Sequence, residues 1–114
     1  MSVQSIRPQL TEQDIERLMR GETPEQRASV AHRVCRRIAL DVLSDREKAF
    51  ADEIMGILAE DSADLVRRTL SVTLRNSPVL PRAIALKLAQ DIEAVAIPVL
   101  QDSPVFTDED LIEL

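Results

Sequence analysis

Leu58-Ala59-Glu60-Asp61 recurs as Leu88-Ala89-Gln90-Asp91 thirty residues later, and Ser77-Pro78-Val79-Leu80 recurs as Ser103-Pro104-Val105-Phe106 twenty-six residues later. The two motifs alternate in the same order, which marks an internal repeat. Each unit reads helix, acidic turn, helix, Ser-Pro turn, helix. The four-residue difference in spacing is about one helical turn, so the middle helix of the second unit is expected to be one turn shorter. One helix pair cannot hide its apolar side alone, whereas stacked pairs share an aliphatic seam. Short linkers make sequential helices antiparallel neighbours. The expectation is an all-α, right-handed α-solenoid of stacked antiparallel helix pairs with about seven helices, clearest over 58–84 and 88–112.

Outward from those motifs the chain divides into a flexible N-terminal arm, 1–10, and a single helical-repeat domain, 11–114. Arg7-Pro8 disfavours helix in the arm. Ile15, Leu18 and Met19 make a stripe over 12–20, ended by Gly21. Thr23-Pro24-Glu25 opens a helix that runs to Leu40 and buries Val30, Ala31, Val34, Cys35 and Ile38. Ser44-Asp45-Arg46-Glu47 has the capping-box pattern, with Phe50, Ile54, Ile57 and Leu58 inward and Ala51 and Met55 flanking. Ser62 or Asp64 starts the next helix, with Leu65, Val66, Thr69, Leu70, Thr73 and Leu74 as its apolar face. Asn76-Ser77-Pro78 ends it. Pro81 starts another, which buries Ile84, Ala85, Leu88 and Ala89. Residues 91–101 carry Val95, Ala96, Val99 and Leu100, with Pro98 inside, where a kink or a short helix is expected. Thr107-Asp108-Glu109-Asp110 caps a final helix bearing Leu111, Ile112 and Leu114. A stub this short must dock firmly or belong to a longer chain.

Residues 58–114 resemble the repeat region of a bacterial family, domain-of-unknown-function family 2336, found mainly in alphaproteobacteria. The resemblance rests on Leu58-Ala59-Glu60-Asp61, Leu65-Val66-Arg67-Arg68, Ser77-Pro78-Val79-Leu80-Pro81, Leu88-Ala89-Gln90-Asp91, Val95-Ala96-Ile97-Pro98-Val99-Leu100 and the stretch from Ser103-Pro104 through Leu111. Val66-Arg67 after an acidic turn is also similar to the general HEAT pattern. Residues 1–57 resemble the family only in outline. The resemblance implies a HEAT-like fold in a chain whose relatives are longer; it brings no established activity and no catalytic residues.

Composition narrows the function classes. The chain has 114 residues and a net charge of −6, and only 2% is aromatic, namely Phe50 and Phe106. An aliphatic core of this kind lines no ring-stacking pocket. Residues 1–48 hold nine Lys/Arg and eight Asp/Glu, and residues 49–114 hold five and twelve. That balance repels phosphate backbones at long range, so nucleic acid is a disfavoured partner. There is no GxGxxG and no phosphate loop. One cysteine, Cys35, excludes an internal disulfide and a CxxC site. With no membrane-length apolar run and no signal pattern at residues 1–5, the expected location is the cytoplasm.

Candidate sites are few. Arg33, Arg36 and Arg37, with Arg27 nearby, offer a basic face for an acidic partner or phosphate; the alternative is a solvated helix face. Arg67 and Arg68 follow an acidic turn, and Asp61 and Asp91 suit a structural ladder of ion pairs between units. His32 stands alone as a surface histidine, and Cys35 lies on the apolar stripe, so neither builds a metal or nucleophilic site. Asp108, Glu109 and Asp110 fit capping better than a cation loop. The apolar end at Leu111, Ile112 and Leu114 offers a surface for docking a second copy or another protein.

The resulting expectation is a protein that is not an enzyme, takes no cofactor or metal, and serves as a protein–protein interaction or regulatory scaffold for an unidentified partner. A nucleic-acid-binding module using Arg33, Arg36 and Arg37, and a subunit of an enzyme, are the alternatives.

Overall fold

The computed structural model describes residues 23–40 and 42–113, and these form six helices and no strand. They are α1 (Pro24–Leu40), α2 (Asp45–Ala59), α3 (Asp64–Leu74), α4 (Arg82–Ala89), α5 (Glu93–Asp102) and α6 (Asp108–Glu113). The expected arm, the helix over 12–20 and Gly21 lie outside the described residues.

Local chemistry sets the helix starts. The Thr23 hydroxyl accepts from the Gln26 N–H at 3.2 Å while the Gln26 side chain accepts from the Thr23 N–H at 3.0 Å. Ser44 and Glu47 make the same reciprocal pair at 3.2 and 3.0 Å, the capping box read from the sequence. At α6, Thr107 accepts from the Asp110 N–H and the Asp110 carboxylate from the Thr107 N–H. The entries to α3 and α5 are different. Ala63 and Ile92 cap them without a side chain. There the preceding aspartates act instead, Asp61 accepting from the Ala63 N–H at 2.9 Å and Asp91 from the Ile92 N–H at 2.7 Å. Each carboxylate thus sits near the positive end of the next helix.

The repeated motifs are repeated turns. The residues after α2 and α4, Glu60 and Gln90, have φ/ψ of −98/0° and −101/4°. Asp61 and Asp91 donate their N–H to Leu58 and Leu88 at 3.2 and 3.1 Å. In the Ser-Pro turns, Ser77 and Ser103 accept from the N–H two residues on, at 3.3 and 3.4 Å. The expected one-turn shortening is not located in the helix: α3 has 11 residues and α5 has 10. The rest is lost from the entry and exit turns, since α3 stops three residues before Ser77 and α5 runs directly up to Ser103. α5 also continues through Pro98, the Ser103 N–H bonding back to Val99 at 3.0 Å.

The helices lie in two rows. In the first, α1 packs along α3 and α3 along α5. In the second, α2 packs beside α4, and α6 is tied to α4 through Arg82 and Asp110. α2 and α4 each also touch α3, and α4 packs on α5. Arg27 on Asp61 near one end, and His32 on Thr73 further along, show that α1 and α3 run in the same direction. The seam between the rows is aliphatic: Cys35, Val66, Leu70, Leu74, Ala85, Leu88, Val95 and Val99 are fully buried, with Met55 and Leu80 nearly so. Its polar member, Ser71, donates to the Val95 carbonyl at 2.5 Å and so stitches α3 to α5 without leaving a buried hydroxyl unsatisfied. Two residues expected inward are not. Ile57 and Leu65 are exposed, because the buried sides of their helices centre on Ala51, Met55 and Leu58, and on Val66, Leu70 and Leu74.

Candidate protein-binding surface

The arginines of α1 and α3 fall into two kinds, and geometry separates them. Arg27 and Arg67 hold the same place, four residues after the caps Thr23 and Ala63. Arg27 donates through Nε and Nη2 to the two Asp61 oxygens, both at 3.0 Å. Their side chains keep only 11% and 4% of their exposure. Arg67 does the same to Asp91, at 2.7 and 3.2 Å, and its Nη1 reaches the Asp61 carbonyl at 2.8 Å. The planar guanidinium fork matches the carboxylate and fixes the separation of neighbouring helices. The Arg67 bond holds the Asp91 carboxyl below its ordinary range, against an opposing effect of burial. The ladder read at Arg67 therefore stands, whereas Arg27, expected beside the exposed arginines, is a buried member of that ladder.

Charge ties the second row as well. Arg82 donates to both Asp110 oxygens, and that bond, followed by the Thr107 N–H, keeps the Asp110 carboxyl below its usual range. The acidic cluster at the start of α6 caps the helix, as expected, but Asp110 also anchors α4. Lys87 pairs with Glu60. At the other end of the first row, Arg75 meets Asp102 at 3.4 Å with both side chains about half exposed.

Arg33, Arg36 and Arg68 are the second kind: exposed, with no ion pair or hydrogen bond among the described residues. On α1 the buried side carries Ala28, Ala31, Val34, Cys35 and Ile38, so the helical period turns Arg33, Arg36 and the exposed Arg37 to solvent. Arg68, expected to share the ladder with Arg67, points the other way. Leu65 and Val72 stand exposed on the same side of α3, and Ile97 on α5.

Sorting charge by row exposes a segregation that the linear sequence conceals. The first-row helices carry six Arg against four Asp/Glu, and the second-row helices four Lys/Arg against eight. Two of the six arginines are taken up by Asp61 and Asp91, so the charges left on the first-row helices balance while the second row stays acidic.

The remaining candidates do not converge. His32 is exposed, its Nδ1 3.2 Å from the Thr73 Oγ1. Cys35 is fully buried, and burial pushes its thiol up to about 12, which suppresses thiolate chemistry. Among the described residues no three His, Cys, Asp or Glu side chains gather as a metal site, and no helix is long and apolar enough to cross a membrane. Leu111 and Ile112 are exposed on α6; Leu114 lies outside the described residues. No family model, no curated protein and no solved structure matches the chain.

Proposed function

We propose that the chain is a HEAT-like α-solenoid segment acting as a non-catalytic protein-binding scaffold in the cytoplasm, where a buried free thiol is at home. The two helix rows, the equivalent turns and the recurring Arg–Asp staples support the solenoid reading, as does the resemblance of residues 58–114 to the bacterial repeat family. The observation that carries the binding role is the division of labour among the arginines: Arg27 and Arg67 are consumed by structure, whereas Arg33, Arg36 and Arg68 make no ion pair or hydrogen bond among the described residues. Exposed side chains of this type are common anchors in protein interfaces. The exposed Leu111 and Ile112 supply a second contact area, at which another copy can stack.

Photo-crosslinking in cells tests the reading. With a photoreactive residue at Arg33 or Arg68, one defined protein should be captured; at Asp52, on α2 in the second row, it should not. Capture of nucleic acid alone, or no position-dependent capture at all, overturns the proposal.

A further inference from the structure

We infer that the exposed side of α6 docks a basic amphipathic helix of a partner protein, an assignment that rests on the protein-binding reading and gives its second contact area an occupant. From Leu88 to Leu114 the chain has seven Asp/Glu and no Lys, Arg or His. Three of the seven are already matched by arginines from earlier helices: Asp91 by Arg67, Asp102 by Arg75 and Asp110 by Arg82. The other four, Glu93, Asp108, Glu109 and Glu113, are exposed and make no ion pair or hydrogen bond among the described residues. Arg82, the cation that reaches α6, is spent on Asp110.

Three of those four carboxylates lie on α6, and the helical period sets them beside its apolar residues. Asp110 is buried and points to α4. Residues two places before and after a helical position lie on the opposite side of the helix, so Asp108 and Ile112 face away from α4. Ile112 is 84% exposed and Leu111 47%. Asp108 lies one turn before Leu111 and Ile112, and Glu109 one turn before Ile112 and Glu113. A partner helix whose leucines are flanked by lysine or arginine matches this surface in both apolarity and sign.

The sign of the charge selects among occupants. Nucleic acid and anionic lipid are repelled by the unmatched carboxylates. A second copy brings its own net charge of −6, so two copies repel at long range. A bare metal ion would leave Leu111 and Ile112 uncovered, and no three ligating side chains gather as a metal site among the described residues.

The probe is a labelled synthetic helix with leucines one turn apart and lysines beside them, compared by fluorescence anisotropy with a scrambled peptide of the same composition. The chain should bind the amphipathic peptide more tightly than the scrambled one, and the binding should weaken as salt rises. Glu109→Lys combined with Glu113→Lys should weaken it at least about tenfold. Ile112→Ser should weaken it about threefold and leave the scrambled peptide unaffected. Asp52→Lys with Glu53→Lys, an equal charge change on α2, should alter nothing, and circular dichroism should show all variants folded. Failure to bind, equal binding of the scrambled peptide, or an equal loss from the α2 reversals overturns the inference. So does self-association in sedimentation that the α6 reversals abolish, because this side would then hold a second copy. Crosslinking at Arg33 and Arg68 reports on the first-row helices, so its capture of a defined protein would survive failure at α6 and leave the scaffold reading standing.

Discussion

The edge of the molecule where α1, α3 and α5 begin is built differently from the edge where they end. At the beginning edge, two aspartate turns of nearly identical backbone shape each receive a forked arginine with little water around it. At the ending edge, the turns close on serine hydroxyls, and the ion pair between Arg75 and Asp102 is open to solvent. Screening makes a solvated pair worth little, while breaking a shielded one leaves an uncompensated charge. Register between neighbouring helices is thus set at one edge only. The other edge tolerates variation, and part of the four-residue difference between the units is absorbed there.

Several substitutions break or sharpen this contrast. The largest effect is expected at the beginning edge: Arg27→Ala and Arg67→Ala should each lower the thermal midpoint by about 10 °C, because Asp61 or Asp91 is left shielded and unpaired. Calorimetry decides, and a shift no larger than that of a surface substitution would mean that the staples do not hold the rows. Asp91→Asn should cost somewhat less and should also change the pH response. The Asp91 carboxyl titrates lower in the folded chain than in the unfolded one. Its contribution is therefore complete above the ordinary Asp value of about 3.9 and disappears as pH falls through the lower folded value. Urea titrations from neutral pH down through that range should show a steeper acid loss in the parent than in the variant. At the ending edge, Ser77→Ala should lower the midpoint by about 5 °C, through loss of the bond that the buried Ser77 hydroxyl accepts from the Val79 N–H. Arg75→Ala should move it by less than about 2 °C, and an Arg75 effect equal to that of Arg67 would erase the distinction between the edges.

Much of this architecture could be read from the residues. Ser44 and Glu47 announced a capping box three residues apart, and the two Leu-Ala-x-Asp turns announced equivalent corners, because caps and turns depend on a few adjacent side chains. Arg67 against Asp91 was legible once the repeat was recognised, since the second copy of the turn supplied the acid. Arg27 against Asp61 was not: they lie thirty-four residues apart, and in sequence Arg27 looks like one more arginine beside Arg33. Its position four residues after a cap, shared with Arg67, was the available signal. Ile57 and Leu65 were misplaced for another reason. Apolar spacing of three and four residues fits a wide arc of a helix, and the neighbours that choose which part of the arc is covered come from distant segments. The same limit hid how charge divides between the rows. Charge read along the chain divides into a near-neutral first half and an acidic second half, but successive helices alternate between rows, so the division that matters in space runs across the chain order.

Arg67 grips the carboxylate that follows α4 and, with its remaining nitrogen, the backbone carbonyl of the turn that follows α2. Neither corner can open without loosening the other. Melting should accordingly be cooperative across the two units, with no fraying inward from one terminus. In hydrogen exchange, the amides of Asp61 and Asp91, whose turns this single guanidinium bridges, should open together at one common free energy.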